Sequence, residues 1–260
     1  MKAWLFVLAL YVLGALATML GWFHLEINTD SIQADLAPQA SHWLGTDHLG
    51  RDILSWAIQG GRVALVVGTL AAGVALVIGT TAGLLAGWYG GKVDGFLLWL
   101  SGSVAAIPGI LLVLVISWML GGGYVGVFLA VGMVSWVGIY RMVRTEVQRL
   151  RSAPFVIAAQ LQGASTQHLM GRHLLPNMLP LLTTQFLLHF IFAVKAEAIL
   201  SFLGVGMHST PSWGRLIADA WEFDDLGTGR WWRLTAATLA MAGLVLALQQ
   251  VMTRLQRVKT

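Results

Sequence analysis

The sequence predicts an all-α, polytopic membrane protein with six transmembrane helices and both termini in the cytoplasm. Three observations carry this. Of the 260 residues, 57% are hydrophobic and 11% charged, against about 25% charged in a soluble domain, and the mean hydropathy is +0.74. Charge-free runs recur that are long enough to cross a bilayer core, which takes about 20 helical residues. The basic residues then sort by side: ten fall in segments assigned inside and five in segments assigned outside, whereas two acids fall inside and nine outside. That is the positive-inside pattern. It accounts for the net charge of +4 without nucleic acid. The chain has no cysteine, so it has neither a disulfide framework nor thiolate chemistry.

Lys2 precedes the uncharged, mostly apolar stretch Ala3 to Gly21, the first span. Ala15-Leu16-Ala17 resembles a small-x-small cleavage site, but apolar residues continue to Phe23, so the span is read as retained. His24 to Arg62 holds Glu26, Asp30, Asp35, Asp47 and Asp52 against Arg51 and Arg62. It ends in HWLGTDHLGRDI, dense in turn formers, and is read as an outer segment. Residues 63–91 carry no charge, and Gly79, Gly83 and Gly87 form two overlapping GxxxG spacings that let helix backbones approach closely. Residues 95–140 are also uncharged and too long for one span. Gly121-Gly122-Gly123 divides them into two helices, and Pro108, which lacks an N–H, kinks the first.

Arg141 to Arg172 sets five arginines against Glu146 alone, which places it in the cytoplasm. An apolar run to Val194 follows, then Lys195 and Glu197. Ions are costly in lipid, so both are expected to face the protein interior, a water path or the interface. Two residues apart, they do not share a helix face. Gly204 to Arg233 holds four acids and Trp213, Trp221, Trp231 and Trp232, and is the second outer segment. Leu234 to Thr253 is the last span. The chain therefore divides into a first helix (1–23), an outer segment (24–62) and a core of five helices (63–260), with a cytoplasmic loop at 141–177 and an outer loop at 204–233.

Catalytic motifs are missing. AGWYGGKV (Ala86 to Val93) has a Gly-Lys pair but neither the first glycine nor the hydroxyl residue of a phosphate loop, and there is no HExxH and no G-x-S-x-G. His42 and His48 flank Asp47, but no third metal ligand is evident, so turn and surface roles are the expectation. His189, inside a span, is expected to pack through hydrogen bonds. Nothing here hydrolyses or transfers a group, so the chain is not read as an enzyme.

One stretch departs from its surroundings. PFVIAAQLQGASTQHLMGRHLLP (Pro154 to Pro176) is moderately polar, bounded by prolines and broken by Gly163. Ala158 and Ala159 suit a tight helix contact, Gly163 permits a reversal, Ser165 suits an N-cap, and Pro176 is expected to end the second short helix. Ala158-Ala159, Gly163 and Leu174-Leu175-Pro176 resemble the EAA loop of ABC importer permeases. GTDHLGRD (Gly45 to Asp52), LSFLGVG (Leu200 to Gly206) and PSWG (Pro211 to Gly214) are similar to the C-type permeases of the dipeptide, oligopeptide and nickel importers.

The resemblance implies the type I ABC importer permease fold in a bacterial inner membrane. It implies that Ile157, Ala158, Ala159, Gly163, Leu174, Leu175 and Pro176 couple to cytoplasmic ATPase subunits. Gly45, Thr46, Asp47, Gly50, Arg51 and Asp52 form the outer family motif, and Lys195 and Glu197 are candidate pathway or interior polar residues. The implied partners are a second, B-type permease, two ATPase subunits that bind ATP and Mg, an extracytoplasmic substrate-binding protein and the lipid bilayer. The chain itself holds no cofactor and binds no nucleic acid. Ile157 stands where the family has a glutamate, and Lys195 where it is usually apolar. Nickel and di- or oligopeptides are both open as cargo, with a slight lean to nickel from HWLGTDHLGRDI. The alternative class is a secondary transporter or channel subunit without an ATPase.

Overall fold

The computed structural model describes residues 2–21, 33–206 and 210–257. Among them every extended element is a helix, and the one β feature is an isolated antiparallel bridge between Thr46 and Asp52. The helices are α1 (Lys2–Met19), α2 (Ile53–Tyr89), α3 (Gly91–Ala105), α4 (Gly109–Met119), α5 (Gly123–Arg151), α6 (Pro154–Leu161), α7 (Thr166–Phe202), α8 (Trp213–Glu222) and α9 (Trp232–Arg257). Helices α2, α5, α7 and α9 are long and apolar enough to cross a membrane. The α3–α4 pair would make a fifth crossing, bent by 90° at its break. In α1 the apolar stretch Ala3–Met19 is shorter than these, at the lower end of what spans a bilayer.

Several boundaries differ from the sequence expectation. Helix α2 begins at Ile53, ten residues before the charge-free run, because Asp52 accepts the Ser55 N–H at 2.8 Å and starts the helix there. Pro108 does not kink a continuous helix. It stands in the break between α3 and α4. The expected outer loop at 204–233 contains the amphipathic helix α8. Residues 22–32, at the end of the first-helix division and the start of the first outer segment, and 207–209, in the second outer segment, lie outside the described residues.

The chain forms two compact units. One comprises residues 1–69, 117–127 and 194–260, the other 70–116 and 128–193. In the second, Gly79, Gly83 and Gly87 of α2 pack against Ile139, Val143 and Val147 of α5. A Cβ built on each glycine would lie 2.6, 2.6 and 2.7 Å from the opposing Cβ, so only glycine fits. The expected GxxxG contact is thus the seam of this unit. Its core continues through Leu84, Trp88, Leu150, Val156, Leu169, Leu174 and Met178. Arg144 ties α5 to α3 through two 2.5 Å hydrogen bonds to Asp94. His189 bridges α7 to α5, its ring nitrogens 2.8 Å from the Gln185 carbonyl and 3.0 Å from the Ser135 carbonyl. This is the hydrogen-bonded packing role expected of it.

In the first unit α9 packs on α1 and α8. The Tyr11 hydroxyl donates to the Ala240 carbonyl at 2.6 Å. Trp213, 1% exposed, donates to the Ala57 carbonyl of α2 at 2.8 Å. Its ring fills the space that a side chain at Gly60 would need.

Candidate functional site

The segment from Pro154 to Pro176 lies in the second unit. Arg151 closes the preceding helix by donating to the Trp88 carbonyl at 2.8 Å, which satisfies an orphan acceptor at the end of α2. Ala153 is extended, and Pro154 takes the first position of α6, where its missing N–H costs nothing. Helix α6 divides its faces sharply. Val156 is fully buried among Leu84, Trp88, Val147 and Leu150. On the other side Ile157 and Leu161, one turn apart, are 43% and 85% exposed, with Ala158 exposed beside them.

Gly163 then reverses the chain at φ +82°. Its N–H bonds the Gln160 carbonyl at 2.9 Å, and the Ala164 N–H bonds the Ala159 carbonyl at 3.1 Å. These are the two bonds of a Schellman C-cap, and Ala159 and Ala164 pack on the core together, as that motif favours. Ser165 caps the next helix by accepting from the His168 N–H at 3.3 Å, as expected.

Pro176 does not end that helix. Residues Leu169–Leu174 form a π segment, and the helix runs through Pro176 and Pro180 to Phe202. The wider turn lets the Leu175 N–H reach the Met170 carbonyl five residues back. The proline follows directly, so its ring and missing N–H fall where the α-helical bond pattern is already interrupted. The seven predicted coupling residues therefore separate. Ile157 and Ala158 are on the surface, Ala159 and Leu175 are half-buried, Gly163 makes the turn, Leu174 is core, and Pro176 is exposed in the helix. Leu161 was missed by sequence reasoning. Its signal was the i, i+4 spacing from Ile157 on a helix whose buried face is Val156.

The outer motif is an architectural knot. Thr46 and Asp47 are buried. Asp47 Oδ1 accepts the N–H groups of Leu49 at 2.9 Å and Arg51 at 2.8 Å, and its Oδ2 takes Arg51 Nε at 2.6 Å. Gly45 and Gly50 hold φ of +74° and +77°. The Arg51 guanidinium lies 3.9 Å over the Trp56 ring and 3.8 Å from Asp219. Arg215 Nε is 2.8 Å from Asp219 as an ion pair, without hydrogen-bond geometry. Burial pushes the Asp219 carboxyl above its ordinary value, against the pull of Arg215 and Arg51. Arg233, 0% exposed, is chelated by Asp225 and reaches Asp35 at 3.4 Å.

His42 and His48 are used separately. His42 lies 3.0 Å from Asp52 and 3.2 Å from Gln33. His48 stacks on Phe223 at 3.8 Å, and Arg233 donates to its Nδ1 at 2.9 Å. Burial holds the His48 imidazole below the usual histidine value. Among the described residues no three metal-ligating side chains converge.

The remaining motifs end and start helices. LSFLGVG closes α7, with the Leu200 carbonyl accepting from Val205 at 2.9 Å and Gly206 at 3.1 Å. In PSWG, Ser212 caps α8 by accepting from the Arg215 N–H at 3.2 Å. Of the two charged residues near the end of α7, Glu197 is 1% exposed and accepts from the Ser201 hydroxyl at 2.6 Å, whereas Lys195 is exposed.

Among the described residues every extended element is a helix, with four helices long and apolar enough to cross a membrane, or five with the bent pair, which is in class a multi-pass membrane protein. Residues 79–258 match the model of the family described as "Binding-protein-dependent transport system inner membrane component". The dipeptide transport system permease protein DppC of Bacillus subtilis (strain 168) is 33% identical over 212 residues, covering 81% of this chain and 66% of that protein. The oligopeptide transport system permease protein OppC of Escherichia coli (strain K12) is 38% identical over 218 residues, 83% and 71% of the two chains. The glutathione transport system permease protein GsiD of Pectobacterium atrosepticum is 34% identical over 219 residues, 84% and 73%. The match thus spans slightly under two thirds of the Bacillus subtilis DppC. In fold, the chain is similar to one in inward-facing structures of the MetNI methionine ABC transporter, with a TM-score of 0.62 at 20% identity, over 80% of this chain and 98% of that one.

The chain belongs to the family of binding-protein-dependent transport system inner membrane components, the permease subunits of ABC importers. It is a multi-pass protein of the bacterial inner membrane, and a permease subunit is not itself the ATPase. The alternative of a secondary transporter or channel gives way to this membership.

Proposed function

We propose that this chain forms half of the translocation pathway of a peptide importer and receives the power stroke through α6. Its partners in this reading are a second permease, two cytoplasmic ATPases that hold ATP and Mg, and an extracytoplasmic binding protein that delivers cargo. Six spans with both termini inside put α6 on the ATP side. The observation that carries the reading is the division of α6. Val156 anchors it in the core between α2 and α5, while Ile157, Ala158 and Leu161 present an unpaired apolar face. A short helix so anchored moves as one piece with the long helices beneath it, which is what transmission of force requires.

With Ile157 in place of an acid, the contact to the ATPase is apolar. The relatives named above are permeases for dipeptides, oligopeptides and glutathione, which favours peptide over nickel as cargo. Co-purification of the complex tests the coupling. Leu161→Asp and Gly163→Trp are expected to lose the ATPases while this chain stays in the membrane, and undiminished retention in both variants would refute it. Uptake of a labelled dipeptide against nickel ion by the intact system tests the cargo.

A further inference from the structure

Lys195 lies in α7, a helix long and apolar enough to cross a membrane, seven residues before its end at Phe202. At 1.5 Å per residue that is about 10 Å inside the helix end. It is exposed, and Ile199 and Phe202, at i+4 and i+7 on the same face, are exposed at 45% and 40%. Glu197 does not neutralise it. That carboxylate is two positions away on another face, buried and hydrogen-bonded to Ser201. Among the described residues the Lys195 side chain makes no hydrogen bond and no ion pair.

An ammonium on a lipid-facing surface escapes its cost by snorkelling to the nearer interface. Here the nearer end is the C-terminal one, and helical side chains lean toward the N-terminus. The stem of Lys195 therefore starts away from the nearer helix end, back along the apolar length of α7. A face holding an unpaired cation so directed is stable where water or an anion meets it.

We infer that Lys195 lines a water-filled face of α7 and recognises a carboxylate, that of the C-terminus of a short peptide in transit. This rests on the peptide-importer reading above. An α-carboxyl titrates near 3.5 and is ionised at neutral pH, so every peptide cargo offers one such charge. An exposed, flexible ammonium suits a passing ligand, because it attracts the anion as a point charge without clamping it in a rigid fork.

The absence of cysteine makes the test clean. In the assembled complex, Lys195 is kept and Ile199→Cys, one turn away on the same face, is treated with a membrane-impermeant, anionic methanethiosulfonate, and labelling of this chain is followed by mass. Rapid labelling, slowed several-fold by a dipeptide with a free C-terminus but not by its C-terminal amide, is the expected result. No labelling, with Phe202→Cys equally silent, puts the face in lipid or against the second permease and overturns the inference. Labelling that neither peptide slows overturns the carboxylate assignment.

Uptake supplies the second readout. Lys195→Met is expected to lower uptake of the free-acid dipeptide about tenfold and leave that of the amide unchanged, and Lys195→Arg is expected to restore it. Equal loss for both peptides overturns the inference in favour of a structural role. If the unmodified complex takes up neither peptide, the cargo reading fails at that step, while the labelling pattern still decides whether the face is wet.

Discussion

Gly83→Ala is the most direct test of the seam between α2 and α5. The added Cβ would lie 2.6 Å from Val143 Cβ, 2.7 Å from its Cγ1 and 3.0 Å from the Arg144 nitrogen. Carbon atoms in contact prefer about 3.5–4.0 Å, so the two helices must part by about an ångström. Overpacking of this kind costs about 1–3 kcal/mol. Alanine also gains up to about 1 kcal/mol over glycine in helix propensity, which would mask part of the loss. Gly73 supplies the control, because it lies on the same helix and a Cβ there meets nothing within 4 Å. The difference between Gly83→Ala and Gly73→Ala therefore isolates the packing cost. Unfolding of the purified chain in mixed micelles with increasing SDS measures it. Gly83→Ala is expected to be less stable than Gly73→Ala by about 1–3 kcal/mol. Combining it with Gly79→Ala should be less than additive, since helices already parted meet the second methyl with a gap. Equal stability of Gly83→Ala and Gly73→Ala would refute the close-packed seam.

Three further outcomes follow from the local geometry. At Gly163 the Cβ would enter open space, so Gly163→Ala is penalised only through its φ of +82°, by about 1–2 kcal/mol. Gly163→Asn, whose side chain tolerates that region, should retain more of the ATPase in co-purification than the alanine variant does. Asp47→Ala strips partners from two backbone N–H groups and from Arg51 and should lower the melting temperature more than Asp47→Asn, which keeps an acceptor. His48 is held below its ordinary value of 6.5 by burial, with Asp47 and Asp219 opposing and Arg233 and Arg51 assisting. The folded state then binds fewer protons than the unfolded one between the depressed value and 6.5. Stability should therefore rise with pH through that window and be lost as pH falls. His48→Gln should flatten that part of the pH–stability profile, and an unchanged slope would argue against the assignment.

The sequence by itself determined the features set by local chemistry and by the lipid solvent. Charge-free runs marked α2, α5, α7 and α9 because unpaired charge is excluded from hydrocarbon whatever the fold. Gly163, Ser165 and Gly121-Gly122-Gly123 were legible because a left-handed φ and a cap oxygen act within a few residues, whereas Pro108 was read as a kink and stands in a break between two helices. The GxxxG series predicted a close approach without naming the partner. Tertiary structure supplied what depends on distant neighbours. It chose Ile139, Val143 and Val147 as the facing residues. It turned Asp47 of GTDHLGRD inward as the acceptor for two backbone N–H groups and the Arg51 guanidinium, where the sequence showed only an outer segment dense in turn formers. It carried the helix through Pro176, where a π turn with Leu169 and Leu174 buried in the core precedes the proline. It also separated Lys195 from Glu197: the same run of apolar residues surrounds both, and only the packing of the first unit's helices decides which of the two charges is enclosed.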